Sequence, residues 1–270
     1  MMRSFLSWVG GKSQLAATIC HLMPEHICYV EPFAGAGWVL FRKERSKVEV
    51  LNDADSDLVR LYLCVKEHPD ELLRQLDLMF SSREMFDVLL QQEGLTDIQR
   101  AARFFYVLKN AFGSKMEGTP VFGYGRRGPG RFNPASALKT IRAAHDRLSR
   151  VTVEHLDFTD ILARYDSPDT LFYCDPPYYG VEHYRQAFSA LDHVRLATAL
   201  CETKGTWLLS YNDVPRIREL YADRPTYAVG LTYSLNVSAP TRARELLICK
   251  TPFDDALLDS APRKLEVLTP

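Results

Sequence analysis

Apolar residues fall along the chain in short runs separated by polar, Gly- and Pro-containing stretches. Seven of these runs predict strands, at 28–33, 47–52, 151–156, 170–174, 206–211, 226–233 and 245–250. Val, Tyr, Phe and Leu dominate them, side chains that suit a pleated surface. The stretch 192–204 instead repeats its apolar residues at helical spacing, the stripe of an amphipathic helix. Strands alternating with helices predict a mostly parallel sheet covered on both faces, an α/β fold. The last two runs lie too close in sequence for a crossover helix. They predict an antiparallel pair closed through 236–244, so the expected sheet is seven-stranded with a terminal antiparallel strand.

Helical periodicity takes over from about residue 58 to 150. Helices are predicted at 59–75, 82–91, 97–110 and 135–148, the last entered behind Pro134. Between them, 111–133 is rich in Gly, Arg and aromatic residues and has no helical period, which predicts a mobile loop at the tip. The expected plan is an α/β domain built from 1–58 and 151–250, a helical insert domain at 59–150, and a loosely ordered tail at 251–270, where three prolines interrupt polar sequence.

Charge sharpens this plan. The chain carries a net −1, yet residues 100–150 hold eleven Lys and Arg against two Asp and Glu, a local +9 that leaves −10 on the rest. One basic segment on an acidic body predicts contact with a polyanion in that region. No apolar run reaches membrane-spanning length, and residues 1–12 lack the apolar region of a signal peptide, so the cytoplasm is the expected compartment. The six cysteines contain no C-x-x-C pair, so neither a disulfide framework nor a metal site is expected. A monomer is the default.

Three segments carry chemistry. Glu31-Pro-Phe-Ala-Gly-Ala-Gly37 follows the first predicted strand, and a Gly-x-Gly turn there lets backbone approach a nucleotide-like ligand, a Rossmann-like arrangement. It lacks the third glycine of the dinucleotide fingerprint, which disfavours a pyrophosphate. Asp53, at the end of the second predicted strand, is placed to accept hydrogen bonds from ribose hydroxyls. Trp8-Val-Gly-Gly-Lys12 precedes these; it lacks the leading glycine of a phosphate loop, so Lys12 can meet a carboxylate instead. Asp175-Pro-Pro-Tyr178 follows an apolar strand and therefore lies at the carboxyl edge of the sheet. Its two prolines stiffen the backbone and remove two N–H donors. The turn presents carbonyl oxygens, a carboxylate and an aromatic ring, which suits a planar substrate bearing an amino group.

Together these segments resemble a known family, the DNA adenine N6-methyltransferases of the bacterial and phage adenine methylase type. Residues 8–12 look like its W-x-G-G-K block, 30–37 its V-E-P-F-x-G-x-G block, 51–58 its N-D-x-x-x-D-L block and 175–178 its D-P-P-Y block, in the family's α-group order. Arg-Glu-Leu-Leu-Ile at 244–248 is similar as well. The resemblance implies that S-adenosylmethionine is the cofactor, bound by Trp8, Gly10, Lys12, Asp53 and Asp175, with Phe33, Gly35 and Gly37 lining its cleft. Asp157 and Phe158 match the block that grips the cofactor's adenine. Asp175, Pro176 and Tyr178 would hold the target base. The partner implied is double-stranded DNA, from which the base is flipped out. Lys109, Lys115, Arg126, Arg127 and Arg131 of the basic segment would contact it.

The resemblance has a boundary. GATC-recognising members carry an N-R-x-x-F-N-G-like stretch where this chain has Leu108-Lys-Asn-Ala-Phe-Gly-Ser114, so adenine chemistry carries over and the GATC site does not. Two alternatives remain open at this point. A cytosine-N4 methyltransferase would share the pocket, although its members usually carry Ser in place of Asp175. A catalytically inactive DNA-binding relative would not need Asp175 and Lys12 intact.

Overall fold

The computed structural model describes residues 2–8, 11–114, 116, 118–123, 130–181, 186, 188–233 and 241–269. The middle of the loop expected at 111–133 lies outside them. The strands β1 (Cys28–Glu31), β2 (Val48–Asn52), β3 (Val151–Glu154), β4 (Thr170–Cys174) and β5 (Thr206–Asn212) are parallel neighbours in the order β3-β2-β1-β4-β5. β6 (Thr226–Tyr233) and β7 (Thr241–Cys249) pair antiparallel, as the short connection requires. β7 slots between β5 and β6, and β8 (Leu265–Thr269) pairs antiparallel with the outer side of β6.

Two expectations need correcting. The sheet has eight strands, not seven. The tail is not loose, because it contributes β8 and the short helix α11 (Asp255–Asp259), and Arg263 donates to the Gln14 carbonyl at 3.0 Å.

The period-two alternation of strand side chains divides the core into two. Tyr29, Leu51, Leu171, Tyr173, Leu208 and Leu247 face one side; their neighbours Val30, Val50, Phe172, Cys174, Leu209 and Ile248 face the other. On the second face lie α8 (Phe158–Tyr165), α9 (Ala190–Glu202) and α10 (Pro215–Leu220). On the first face lie α1 (Ala16–Leu22), α2 (Trp38–Arg42) and the helices of 56–148: α3 (Ser56–Glu67), α4 (Pro69–Asp77), α5 (Arg83–Gln91), α6 (Asp97–Asn110) and α7 (Pro134–Leu148).

This helical segment shares one continuous apolar core with the sheet, running from Phe86, Phe105 and Leu148 to Tyr29 and Leu208. The helix expected over 59–75 is two helices. Pro69 opens α4 at its first turn, and His68 before it is non-helical, at φ −132° and ψ 48°; a proline inside a helix would remove a hydrogen bond and clash with the preceding turn.

One buried ion cluster ties the segment to the sheet. Arg147 of α7 grips Glu49 of β2 with its two terminal guanidinium nitrogens, at 2.6 and 2.8 Å, and Lys43 Nζ reaches the same carboxylate at 2.7 Å. All three side chains are buried. No helix among the described residues is long and apolar enough to cross a membrane.

Candidate active site

In a parallel sheet whose strand order reverses at one point, the carboxyl ends of the strands open a crevice. Here β1 lies between β2 and β4, and four acids stand at or just beyond strand ends: Glu31 on β1, Asp53 after β2, Asp157 after β3 and Asp175 after β4. All four line one cleft. Trp8, Lys12, Phe33, Gly35, Gly37, Phe158 and Pro176 line it too, so the structure gathers most of the residues singled out in the sequence. Gly10 lies outside the described residues.

The floor of the cleft is the turn after β1. Gly35 and Gly37 have positive φ, +47° and +61°, a backbone region that side chains rarely tolerate. A Cβ on Gly37 would also stand 3.1 Å from the Tyr62 hydroxyl. Asp53 holds this turn: its carboxylate accepts from the Gly35 N–H and the Asp55 N–H, each at 2.9 Å. Burial pushes Asp53 up to about 6, opposed by those two N–H donors.

The outer wall is aromatic. Phe33, Phe158 and Phe188 meet pairwise with ring centroids 5.5 to 5.7 Å apart. Asp157 caps α8 by accepting from the Thr159 N–H, and it pairs with Arg195 at 2.9 Å. Burial alone would raise its carboxyl; the Thr159 and Arg195 bonds outweigh that and hold it below the usual aspartate range.

At the β4 end, Asp175 Oδ1 accepts from Lys12 Nζ at 2.7 Å and from Ser210 Oγ at 2.9 Å. Both bonds fall on one oxygen, so Oδ2 is the atom left for a ligand. Burial raises the Asp175 carboxyl above the aspartate range, against the pull of Lys12. Downstream, Asn212 of β5 donates to the Tyr179 carbonyl at 3.0 Å and pins the chain leaving the double proline.

Tyr178 is placed differently from its neighbours. It does not line the cleft; its ring packs against Tyr211 with Lys12 Nζ 4.7 Å from the ring centroid. The ring expected to help hold the target base is therefore not presented to the cleft in this arrangement.

Of the expected DNA-contact residues, the two that are described, Lys109 and Arg131, do not line the cleft. Lys115, Arg126 and Arg127 lie outside the described residues. Lys109 is half-buried and donates to the Phe5 carbonyl at 2.7 Å; burial lowers the pKa of its ammonium group. It pins the N-terminal strap that leads to Trp8. Arg131 is exposed near the antiparallel bridge Ala111–Phe122 and donates to the Ala111 carbonyl at 3.2 Å. Elsewhere in the basic segment, Arg100 donates to Gly94, Arg103 to Leu89 and Leu90, and Arg142 and Arg147 are paired with Asp70 and Glu49. Much of the local +9 is thus tied down within the fold.

Sequence reasoning misses Glu31 and Phe188 as site residues. Glu31 Oε1 accepts from Tyr29 Oη at 2.7 Å and from the Leu40 N–H at 2.8 Å, and burial pushes its carboxyl up to about 8. A carboxylate ending an apolar strand, just before a Gly-x-Gly turn, is the signal that points to it. For Phe188 the signal is the box Ser189-x-x-Asp192, which caps α9 with both reciprocal bonds. An apolar residue before such a cap packs against the first turns of its helix, and Phe188 meets the His193 ring at 4.8 Å.

Comparison with known proteins points to one family. The family model described as D12 class N6 adenine-specific DNA methyltransferase matches residues 8–235. The chain is 26% identical to the Type II methyltransferase M1.LlaDCHI of Lactococcus lactis subsp. cremoris, across 93% of this chain and 96% of that protein. It is 28% identical to a DNA adenine methylase of Serratia marcescens, across 91% and 97% of the two chains. To the DNA adenine methylase of Escherichia coli (strain K12) it is 27% identical, across 93% and 96%.

Proposed function

The chain belongs to the D12 class of N6 adenine-specific DNA methyltransferases, and from that premise we propose how its own residues carry out methylation of adenine N6 in DNA. The methyl donor is S-adenosylmethionine, whose sulfonium supplies an electrophilic methyl group. The cleft fits such a donor: an aromatic cradle of Phe33, Phe158 and Phe188 for a purine, an acid after β2 for a ribose, and a side-chain-free turn at Gly35 and Gly37 between them. Trp8 and Lys12 line the same cleft, with Gly10 between them in sequence.

The observation that carries the reading is the Asp175 carboxylate at the cleft edge, with Oδ1 occupied by Lys12 and Ser210. The exocyclic amine of adenine is a poor nucleophile because its lone pair is delocalised into the ring. Oδ2 of Asp175 and the Pro176 carbonyl each accept one N6–H. These bonds draw the nitrogen toward tetrahedral geometry and stabilise the charge that grows on it. The stiff proline pair holds both acceptors in place ahead of the base, so little reorganisation is needed. Tyr178 packs beside this turn, against Tyr211 and next to Lys12, and supports it from outside the cleft.

An adenine inside a duplex cannot reach this cleft and is flipped out, at a cost of a few kcal/mol. Residues 59–150 serve as the DNA-recognition insert, and the Gly- and Arg-rich stretch with Arg126, Arg127 and Arg131 supplies phosphate contacts at a defined sequence. Replacing Arg126 and Arg127 by alanine then weakens duplex binding and reduces the slope of log affinity against log salt by about two. An unchanged slope places the contact elsewhere.

Asp53 gives the cofactor end a pH signature. Below about 6 its carboxyl is protonated and accepts ribose hydroxyls poorly. Donor affinity, read by quenching of tryptophan fluorescence, therefore rises as pH rises through about 6. In Asp53→Asn that rise is absent; if the rise survives, Asp53 is not the ribose ligand. The whole reading is tested by incubating the protein with labelled donor and duplex DNA and identifying the modified base and its sequence context. Label on cytosine, or none with intact donor binding, overturns it.

A further inference from the structure

Glu245 of β7 is a buried acid, 2% exposed, to which the proposed chemistry gives no task. Its neighbours on the ladder are Asn212 of β5 and Val229 of β6, so it sits in the sheet beside the end of β5, which also carries Ser210. Its Oε2 lies 3.7 Å from Lys12 Nζ, and the same Nζ is 2.7 Å from Asp175 Oδ1. Lys12 is itself buried, 5% exposed, and stands 4.7 Å from the Tyr178 ring centroid. One desolvated ammonium thus lies between two carboxylates, one at the cleft and one behind it.

We propose that Glu245 is a positioning residue for Lys12, holding the ammonium between two carboxylates so that Lys12 orients Asp175 through Oδ1 while leaving it a strong acceptor for the reacting amine. A buried carboxylate with a single close ammonium gives up most of its field to that partner. Shared with Glu245, Lys12 orients Asp175 through Oδ1 without cancelling it. The need arises in the reaction itself. As N6 gains its bond to the methyl carbon, the pair of the broken carbon–sulfur bond stays on sulfur. Positive charge settles on N6 until one N6 proton leaves to Asp175 or to water. A carboxylate neutralised by its own lysine would do little for that charge.

The inference rests on the role given to Asp175. Its test uses two variants of the whole protein, Glu245→Gln, which keeps the shape and removes the charge, and Glu245→Asp, which keeps the charge and shortens the reach. In single-turnover assays on duplex DNA, Glu245→Gln is expected to slow methyl transfer by roughly ten- to a hundredfold. Duplex affinity measured without donor should stay within about twofold, and Glu245→Asp should recover most of the rate. With Lys12→Met in place, Glu245→Gln should have no further effect, because the residue acts through Lys12. A wild-type rate for Glu245→Gln overturns the proposal. So does a pattern in which Asp is damaged and Gln is not, which would assign a role of shape. A full additional loss in the Lys12→Met background overturns it too. Failure of the underlying reading looks different: Asp175→Ala would then retain its rate, whatever Glu245 does.

Discussion

Asp175→Ala is expected to slow methyl transfer by roughly 10²–10³-fold, the usual cost of removing one preorganised group aimed at charge that develops during reaction. Duplex binding stays within about twofold of wild type, since DNA affinity comes mainly from phosphate contacts and not from the reacting base. The variant should fold. Lys12 retains Glu245 at 3.7 Å, and Ser210 retains the Tyr173 hydroxyl at 3.0 Å, so neither partner of the lost carboxylate is stranded. Single-turnover kinetics with labelled donor, run beside a binding isotherm without donor, separate the two quantities. Turnover near wild type with unchanged binding removes Asp175 from the chemistry and with it the account of N6 activation.

Asp175 stands out in the sequence for a physical reason. Open α/β sheets place ligands at the carboxyl ends of their strands, so an apolar run that ends in an acid and two prolines marks both an element boundary and a site. The same coincidence makes the Gly-x-Gly turn and Asp53 legible. What a linear chain does not show is which charges find each other. The motif around Lys12 suggests a lysine able to meet a carboxylate, but its two partners, Asp175 and Glu245, come from the end of β4 and from β7, and only the sheet order brings them together. The basic segment misleads for a related reason. A count of arginines says nothing of which ones are turned inward, and Arg147 is among the buried charges, 7% exposed.

The fold is legible where one periodicity runs unbroken. The predicted limits of α6 match the observed ones, and the Thr96–Gln99 capping box fixes its start. Legibility fails where a longer pattern outvotes a local signal. Pro69 falls inside an apolar run of helical period although it begins a new helix, and Ser189 caps α9 three residues ahead of the predicted start. The insertion of β7 between β5 and β6 has no local signature, because it depends on which edge the chain pairs with. β8 is hidden because it is only five residues long and none of them is fully buried, so Leu265, Val267 and Leu268 pass as part of a polar, proline-interrupted stretch until β6 pairs with the strand.

The largest loss of stability is expected from Glu49→Leu, about 3–5 kcal/mol, the range for breaking a buried ion pair from one side. Arg147 and Lys43 are then left as buried cations, 7% and 9% exposed, with their shared carboxylate gone. For a chain of this size that corresponds to a fall in thermal midpoint of roughly 10 °C. Replacing all three, with Lys43→Met and Arg147→Met added, should recover most of it, since an apolar cluster of similar volume needs no desolvated charge. The wild type carries a matching pH signature. Burial raises the Glu49 carboxyl, but the Arg147 and Lys43 bonds outweigh it and hold it below the usual glutamate range. Its contribution is therefore complete above about 4.3, the ordinary glutamate value, and is lost as pH falls through the lowered folded value. The acid limb of unfolding should be shallower in the triple variant. β2 and α7 are joined at this cluster, on the opposite end of β2 from Asp53, so the triple variant should also methylate at close to the wild-type rate. If Glu49→Leu melts with the wild type, the helical segment is held to the sheet by its shared apolar core alone, and the ion cluster is a passenger.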